Sequence, residues 1–322
     1  MKNLIGIDIG GTKCAVSVAT YANEKLDIID RQTFPTLKTP NDTIIELINL
    51  IKTSMTKHNL KLIDSIGISC GGPLNSHSGV ILSPPNLPDW DEISIVQIFK
   101  DAFKVPVFLQ NDANACALAE WRWGAGVGTK NMIFLTFGTG LGAGLILNGR
   151  LYSGTNDMAG EIGHIRLASD GPYGYGKYGS FEGFCSGGGI ANLARIVIRK
   201  HIEDGNPPAF CPTMEAVDKI TAQDVGLAAN SGDEVALNIF KTVGEKLGQG
   251  LAMIIDLLNP ELIVIGSIYG RQKHLLEPIM MGVLKRESLS LSLNICDIKP
   301  AGLGEKVGDY ASLSVAMQSW ES

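Results

Sequence analysis

Apolar positions along this chain follow two rhythms, and the switches between them mark its elements. The segment LIGIDIGGTKCAVSVA (Leu4 to Ala19) is a short apolar run, a glycine break and a second apolar run, which predicts strand, tight turn, strand. IFLTFGTGLGAGLILNG (Ile133 to Gly149) repeats that layout far along the chain, so the pattern predicts an internal duplication and two similar lobes facing each other. DSIGISCGGP (Asp64 to Pro73) predicts a strand entering a glycine loop, and VPVFLQ (Val105 to Gln110) and ELIVIGS (Glu261 to Ser267) predict further strands. Helical spacing governs DTIIELINLIKTSMTKH (Asp42 to His58), which Asp42 would cap, and DANACALAEWRWG (Asp112 to Gly124). It also governs the apolar series from Ala236 to Leu258, where Gly244 and Gly248 would let another backbone come close and Asn259–Pro260 ends the helix. SPPNLPDW (Ser83 to Trp90), with three prolines, predicts a loop. GYGKYGSFEGFCSGGGI (Gly174 to Ile190) is too rich in glycine for regular structure until IANLARIVIRKHI begins a helix.

Composition narrows the class. At 322 residues, 45% hydrophobic and 19% charged, the chain suits two domains or one α/β unit with lobes. The formal net charge is −6 and no lysine or arginine cluster is present, which excludes the electrostatic footprint of a nucleic-acid protein. The N-terminal apolar run in MKNLIGIDIGG stops after about six residues at an aspartate and two glycines, too soon for a signal peptide or a span. No other stretch approaches the roughly 18 apolar residues of a membrane helix, so a cytoplasmic location is expected. Cys14, Cys70, Cys116, Cys185, Cys211 and Cys296 form no CxxC pair; reduced thiols are expected rather than a disulfide framework or thiolate metal site.

Candidate chemistry collects at the glycine breaks. Asp8 ends a strand and is followed by Gly10, Gly11, Thr12 and Lys13, where main-chain amides can converge on an anion and the acid can act through a magnesium ion. Alone, the segment is equally a plain hairpin turn, and it is not a Walker A loop. The second break, with Gly138, Thr139, Gly140, Gly142 and Gly144, could be close strand packing, but two phosphate-type hairpins in one chain point to a nucleotide. Asn111 and Asp112 stand where a strand gives way to a helix, the end that faces clefts in α/β folds. Asp112 fits two roles, a base that takes a proton from a substrate hydroxyl or an ordinary helix N-cap. Asn111 could hold a neighbouring hydroxyl. Glu161 and His164 in GEIGH can reach one polar ligand together, although a lone histidine is more often structural; Glu182 is a further hydroxyl acceptor.

In that order, DIGGTK, PNLPDW, NDANA, FGTGLGAG, GEIGH and LNPELIVIG resemble the motifs of the ROK family (repressors, open reading frames and kinases), from about Leu4 to Gly266. The resemblance implies the actin/hexokinase-type ATPase fold: α/β, two lobes with a duplicated core and a cleft between them. It places a small lobe at residues 1–110, a large lobe at 111–304, and the segment from about 305 to 322 back against the first. It implies ATP-dependent phosphorylation of a free hexose at its C6 hydroxyl, with Asp112 as base. Asp8, Gly10, Gly11, Thr12 and Lys13 would form one phosphate segment, and Gly138, Thr139, Gly140 and Gly142 the other. Gly187, Gly188 and Gly266 would lie near adenosine, Mg2+ would be held through ATP phosphates and Asp8, and Asn86, Asn111, Asp112, Glu161, His164 and Glu182 would contact sugar. The PNLPDW loop with Gln110-Asn111-Asp112 is closer to glucose-type members; N-acetylmannosamine, allose, fructose or an inactive sugar-binding protein are the alternatives. The chain departs from the family at the CxCGxxGCxE zinc element that follows GEIGH. Tyr173, Tyr175 and Ser180 replace its cysteines while Gly176, Gly179 and Glu182 remain, so no zinc is expected. That departure bears on His164, which in the family binds zinc as well as sugar. Ser267 stands where the family often has glycine. The first hairpin begins at Leu4, leaving no room before it for the DNA-binding module of the family's repressors, and a homodimer is the family's expectation.

Overall fold

A computed structural model describes residues 1–320. The chain opens with strands β1 (Lys2–Ile9), β2 (Lys13–Ala22) and β3 (Lys25–Pro35), then helix α1 (Pro40–Lys57) and β4 (Ser65–Cys70). The short strands β5 (Leu74–Asn75) and β6 (Val80–Ile81) pair with each other and lead to α2 (Ile95–Phe103), β7 (Val107–Asn111) and α3 (Asp112–Trp123). Strands β8 (Met132–Phe137), β9 (Leu141–Leu147) and β10 (Arg150–Leu151) follow, and then a small hairpin, β11 (Tyr173–Gly174) with β12 (Lys177–Tyr178). Helices α4 (Phe181–Phe184), α5 (Gly187–Glu203), α6 (Met214–Val217), α7 (Ala222–Asn230) and α8 (Glu234–Leu258) precede β13 (Leu262–Ile265). The described chain closes with α9 (Ile268–Glu287), α10 (Ser290–Leu293), β14 (Asp297–Pro300) and α11 (Val307–Ala316), with a final 3-10 turn at Met317–Trp320.

These strands make two five-stranded sheets, ordered β3-β2-β1-β4-β7 and β10-β9-β8-β13-β14. In each, the first hairpin is antiparallel and the next two strands join parallel, so the expected duplication is the architecture of the molecule. All six residues of β4 and all four of β13 are buried, as central strands covered on both faces require. Separate apolar cores form around each sheet, one on Ile7, Ile68, Leu109 and Phe99, the other on Leu135, Phe181, Val243 and Leu251. A third cluster, including Leu118, Phe134, Val264 and Val315, joins α3 and α11 to β8 and β13. Helix α11 also packs against β1 and β4. It lies flush there because Gly6 and Gly67 carry no side chains: a Cβ at Gly67 would come 2.1 Å from the Ser312 carbonyl oxygen.

Several local expectations shift. Asp42 does not cap α1; the Thr39 hydroxyl accepts the Asp42 amide at 3.1 Å, and Pro40 takes the first turn, where a missing N–H costs nothing. Residues 174–189 are more regular than glycine content predicts. The β11–β12 hairpin and α4 form inside them, and α5 already begins at Gly187, since the Ser186 hydroxyl accepts the Gly189 amide at 2.9 Å. The close approach expected at Gly244 and Gly248 is made by α9: a Cβ at Gly248 would sit 2.6 Å from Val283 Cβ.

Candidate active site

The parallel strands β1, β4 and β7 end side by side, with Asp8 in register with Ser69 and Ser69 with Gln110. Beyond that row the chain turns into α3. Asn111 is the N-cap, its Oδ1 accepting the Ala113 amide at 2.9 Å; Asp112 is the first helical residue, and its Oδ1 accepts the same amide at 2.7 Å. Of the two roles open to Asp112, the cap thus belongs to its neighbour. Behind them Gln110 Oε1 accepts the Asn111 amide at 2.9 Å and Asn114 Nδ2 at 3.1 Å, which holds the turn.

Asp8 and Asp112 face one another electrostatically. The Asp112 side chain is reached by solvent yet flanked by protein on most sides, as at the floor of a crevice. Burial pushes the Asp8 carboxyl up to about 7; Asp112 and Asp309 add to the rise, and Lys13 and Arg31 oppose it. Asp112 is also raised, first by burial and then by Glu161, against the Ala113 amide that lowers it. Asp309 comes from α11, where its Oδ1 accepts from Arg31 Nε at 2.6 Å and the Ser17 hydroxyl at 3.2 Å. Nothing in the local sequence marks Asp309 as a neighbour of Asp8; only the return of α11 brings it there.

The two glycine breaks are built alike. Gly10 donates to the Lys13 carbonyl at 3.2 Å, closing the first turn, and Gly138 donates to the Gly140 carbonyl at 3.2 Å, closing the second. The amides of Gly11 and Thr12, and of Thr139 and Gly140, make no hydrogen bond to protein among the described residues, so each turn presents two open donors. Gly11 is required by the PNLPDW loop: Leu87 and Trp90 bury, and the Asn86 carbonyl comes within 2.2 Å of where a Gly11 Cβ would stand. The Asn86 side chain itself is exposed and hydrogen-bonds to none of the other candidates. Around the second turn, the Gly187 amide at the start of α5 donates to the Gly138 carbonyl at 2.7 Å, and a Cβ at Gly188 would lie 3.9 Å from the Thr139 carbonyl oxygen. Gly266 donates to the Leu135 carbonyl at 2.9 Å. Next to it Ser267, at φ 54° and ψ −109°, faces Gly138 and accepts Arg271 Nη2 at 2.9 Å.

Glu161, His164 and Glu182 gather beside the first residues of β9. The Ala143 amide donates to the Gly160 carbonyl at 2.8 Å, pinning GEIGH to the strand, and a Cβ at Gly163 would sit 2.2 Å from the Leu141 carbonyl oxygen. Glu182 Oε2 accepts the Leu141 amide at 3.0 Å, tying that carboxylate to the second turn. The Tyr175 hydroxyl donates to Glu161 Oε2, and its ring meets His164 edge-on at 5.1 Å. Lys177 Nζ lies 3.0 Å from His164 Nδ1 and donates to the His164 carbonyl at 2.8 Å. Burial and the Glu161 carboxylate push the Tyr175 phenol up, so at neutral pH it is a donor. Tyr175 and Lys177 were not singled out as site residues by the sequence; the signal available was their place inside the substituted cysteine element.

The residues suit a magnesium–nucleotide pair. Asp8 offers a hard carboxylate oxygen beside the Asp112 and Asp309 charges, and Mg2+ characteristically takes one or two carboxylates plus phosphates and waters. They do not suit zinc at the former cysteine positions: phenol and hydroxyl oxygens stand there, and Lys177 occupies one ring nitrogen of His164. Among the described residues no cluster of three His, Cys, Asp or Glu side chains could hold a metal ion. A separate groove of about 780 Å³, bordered by Phe210, Lys219, Leu227 and Asp233, shares no residue with this set.

Paired five-stranded sheets of one strand order, with acids at the strand ends and a glycine turn from each half, define the actin/hexokinase-like α/β fold. A sequence model of the ROK family matches residues 4–318, and the chain belongs to that family. A glucokinase of Halalkalibacterium halodurans is 35% identical over 82% of this chain and 79% of its own length. A xylose repressor of Caldicellulosiruptor bescii is 30% identical over 82% of this chain and 65% of its own. Among solved structures, a ROK family glucokinase from Streptomyces griseus in complex with glucose and AMPPNP superposes with a TM-score of 0.76 at 28% identity, covering 98% of this chain and 99% of that one.

Proposed function

We propose that this protein is an ATP-dependent hexose kinase that phosphorylates the C6 hydroxyl of a free sugar, with glucose as the preferred acceptor. One observation carries the reading. Asp112, a carboxylate raised by burial and by Glu161, is coupled electrostatically to Asp8 before the first glycine turn and to Glu161 in GEIGH. The glucokinase relatives and the glucose–AMPPNP complex of the Streptomyces griseus enzyme support glucose and ATP as the pair.

In the proposed reaction Asp112 takes the proton of the C6 hydroxyl as that oxygen attacks the γ-phosphorus. The new P–O bond forms while the bond to the bridging oxygen of ADP breaks. A raised carboxylate is a stronger base than an ordinary aspartate, and its ionised form is the active one. Gly11, Thr12, Thr139 and Gly140 donate amide hydrogens to phosphate oxygens, where preorganised donors lower the barrier most. Glu161, His164, Glu182, Asn111 and Asn86 orient the sugar, and Gly187, Gly188 and Gly266 border the adenosine. Lys13 adds positive charge beside Asp8. When bound, Mg2+ supplies charge neutralisation across the phosphates, with Asp8 as its protein contact.

The 30% identity to a xylose repressor supports a second reading, a sugar-binding protein without turnover. A coupled ADP-release assay across glucose, N-acetylmannosamine, allose and fructose, with and without magnesium, separates the two. Magnesium-dependent turnover with glucose fastest is the expected result, and no turnover on any hexose overturns it. A cytoplasmic location accompanies this reading; among the described residues no helix is long and apolar enough to cross a membrane. So does a homodimer, for which exposed Leu257, Leu289 and Leu291 offer apolar surface; light scattering reads it.

A further inference from the structure

The hairpin at residues 173–178 and Ser180 just after it stand where the family element has three cysteines, and they are fastened differently. The hairpin's pairing leaves Tyr175 and Gly176 as a two-residue turn, both at positive φ, 49° and 75°. Such a turn favours Asn, Asp or Gly at its first position, and an aromatic residue there adopts a conformation it seldom takes. The side chain that stays despite this is the one whose hydroxyl reaches Glu161 and whose ring abuts His164. Two residues on, Lys177 engages both the Nδ1 and the carbonyl of His164. An ammonium can only donate, so Nδ1 is the acceptor and the ring proton of neutral His164 sits on Nε2, available to a ligand oxygen. Ser180 completes the fastening: its hydroxyl donates to the Gly174 carbonyl at 2.7 Å and accepts the Gly183 amide at 3.0 Å, tying the hairpin to the helix that carries Glu182.

We propose that the Tyr175–Lys177 hairpin is a metal-free clasp that positions the sugar-facing groups, Tyr175 orienting the Glu161 carboxylate and Lys177 fixing the tautomer of His164. The inference rests on the proposed hexose site, and both residues act through others, so they are positioning residues rather than catalytic ones. Without the Tyr175 hydroxyl, Glu161 loses a hydrogen bond that holds its carboxylate in one orientation. The sugar then meets a less organised acceptor while the ATP side is untouched.

Three measurements test it on the full-length protein. Tyr175→Phe, which keeps the ring against His164, is expected to raise the KM for glucose about tenfold, the scale of one hydrogen bond to a charged group. The KM for ATP and kcat should stay within about threefold, and the glucose effect should vanish in a Glu161→Gln background. An unchanged glucose KM, or an undiminished effect in that background, overturns the role of Tyr175. Ring 15N–1H correlation spectra at alkaline pH, with His164→Gln to assign the signal, should show His164 as the Nε2–H tautomer in the wild type and as a mixture in Lys177→Met. The same mixture in both overturns the role of Lys177. Elemental analysis should find far less than one zinc per chain; one zinc per chain overturns the metal-free claim. If the wild type phosphorylates no hexose, the kinase reading fails, and the clasp is judged on the ring spectra and zinc content, which need no substrate.

Discussion

The two halves of this molecule share a strand order and differ in what lies between their strands. In the first, the chain leaves β1 and returns at β4 through β2, β3 and α1, which carry no candidate sugar contact. In the second, it leaves β8 and returns at β13 only after GEIGH, the tyrosine hairpin and helices α4 to α8. The first half therefore contributes Asp8 at a strand end, and Asp112 opens the helix that leads from its last strand into the second half. The second contributes contacts held by side chains: Glu182 on the Leu141 amide, Glu161 on Tyr175, His164 on Lys177. The duplicated core gives one glycine turn per half, and in the proposed site the longer crossover of the second half would add Glu161, His164 and Glu182 to the sugar contacts Asn86 and Asn111.

The largest effect that would sharpen this contrast is at the floor. Asp112→Asn is expected to lower kcat at least about 10²-fold, the usual worth of a general base, while calorimetry shows hexose affinity retained. Turnover near the wild-type rate would remove Asp112 from the chemistry. Next come the turns themselves. Gly11→Ala drives a methyl into the Asn86 carbonyl and should cut kcat/KM for ATP by about 10–10²-fold. Gly140→Ala, whose Cβ would lie 2.8 Å from Glu182 Oε2, should weaken glucose as well as ATP, by about tenfold each. If both substitutions gave the same substrate pattern, the halves would not be specialised as described.

A pH test separates floor from walls. The folded Asp8 carboxyl, raised to about 7, keeps a proton that the unfolded chain releases near 3.8. Its contribution to stability is therefore full below pH 3.8 and is lost as pH rises toward about 7. Urea midpoints of the unliganded protein should show Asp8→Asn gaining on wild type between about pH 4.5 and pH 7.5, a range that takes in most of that window. A constant difference across it would mean Asp8 is not raised. The smallest effects concern packing. Gly248→Ala, whose Cβ would lie 2.6 Å from Val283 Cβ, should cost about 1–3 kcal/mol by forcing α8 from α9. Thr39→Ala, removing the α1 cap, should cost about 1 kcal/mol and leave kinetics within about twofold.

Much of the scaffold was legible because it is written locally. Each glycine break lies between apolar runs, and turn chemistry alone predicts the hairpins. Capping was misread at Asp42 because the hydroxyl that does the work stands three residues earlier, before a proline. The helical start of α5 was hidden because Gly187, Gly188 and Gly189 read as breakers. A Cβ at Gly189 would come within 2.4 Å of the Glu182 carbonyl oxygen, so tight packing outweighs propensity there. Candidates for the site could be picked out wherever they sit beside a turn, as at Asp8, Asp112 and Glu161. They could not be where contact depends on distant segments meeting, as with Asp309 beside Asp8 or Lys177 against His164.

Helix α11 lies flush against Gly6 and Gly67, so β1 is covered by a helix that follows almost every other element in sequence. Until residues 307–316 emerge, β1 and β4 expose one apolar face, and the amino-terminal half cannot be finished ahead of the rest. A chain cut short before α11 is therefore expected to leave that apolar face open to solvent and to aggregate.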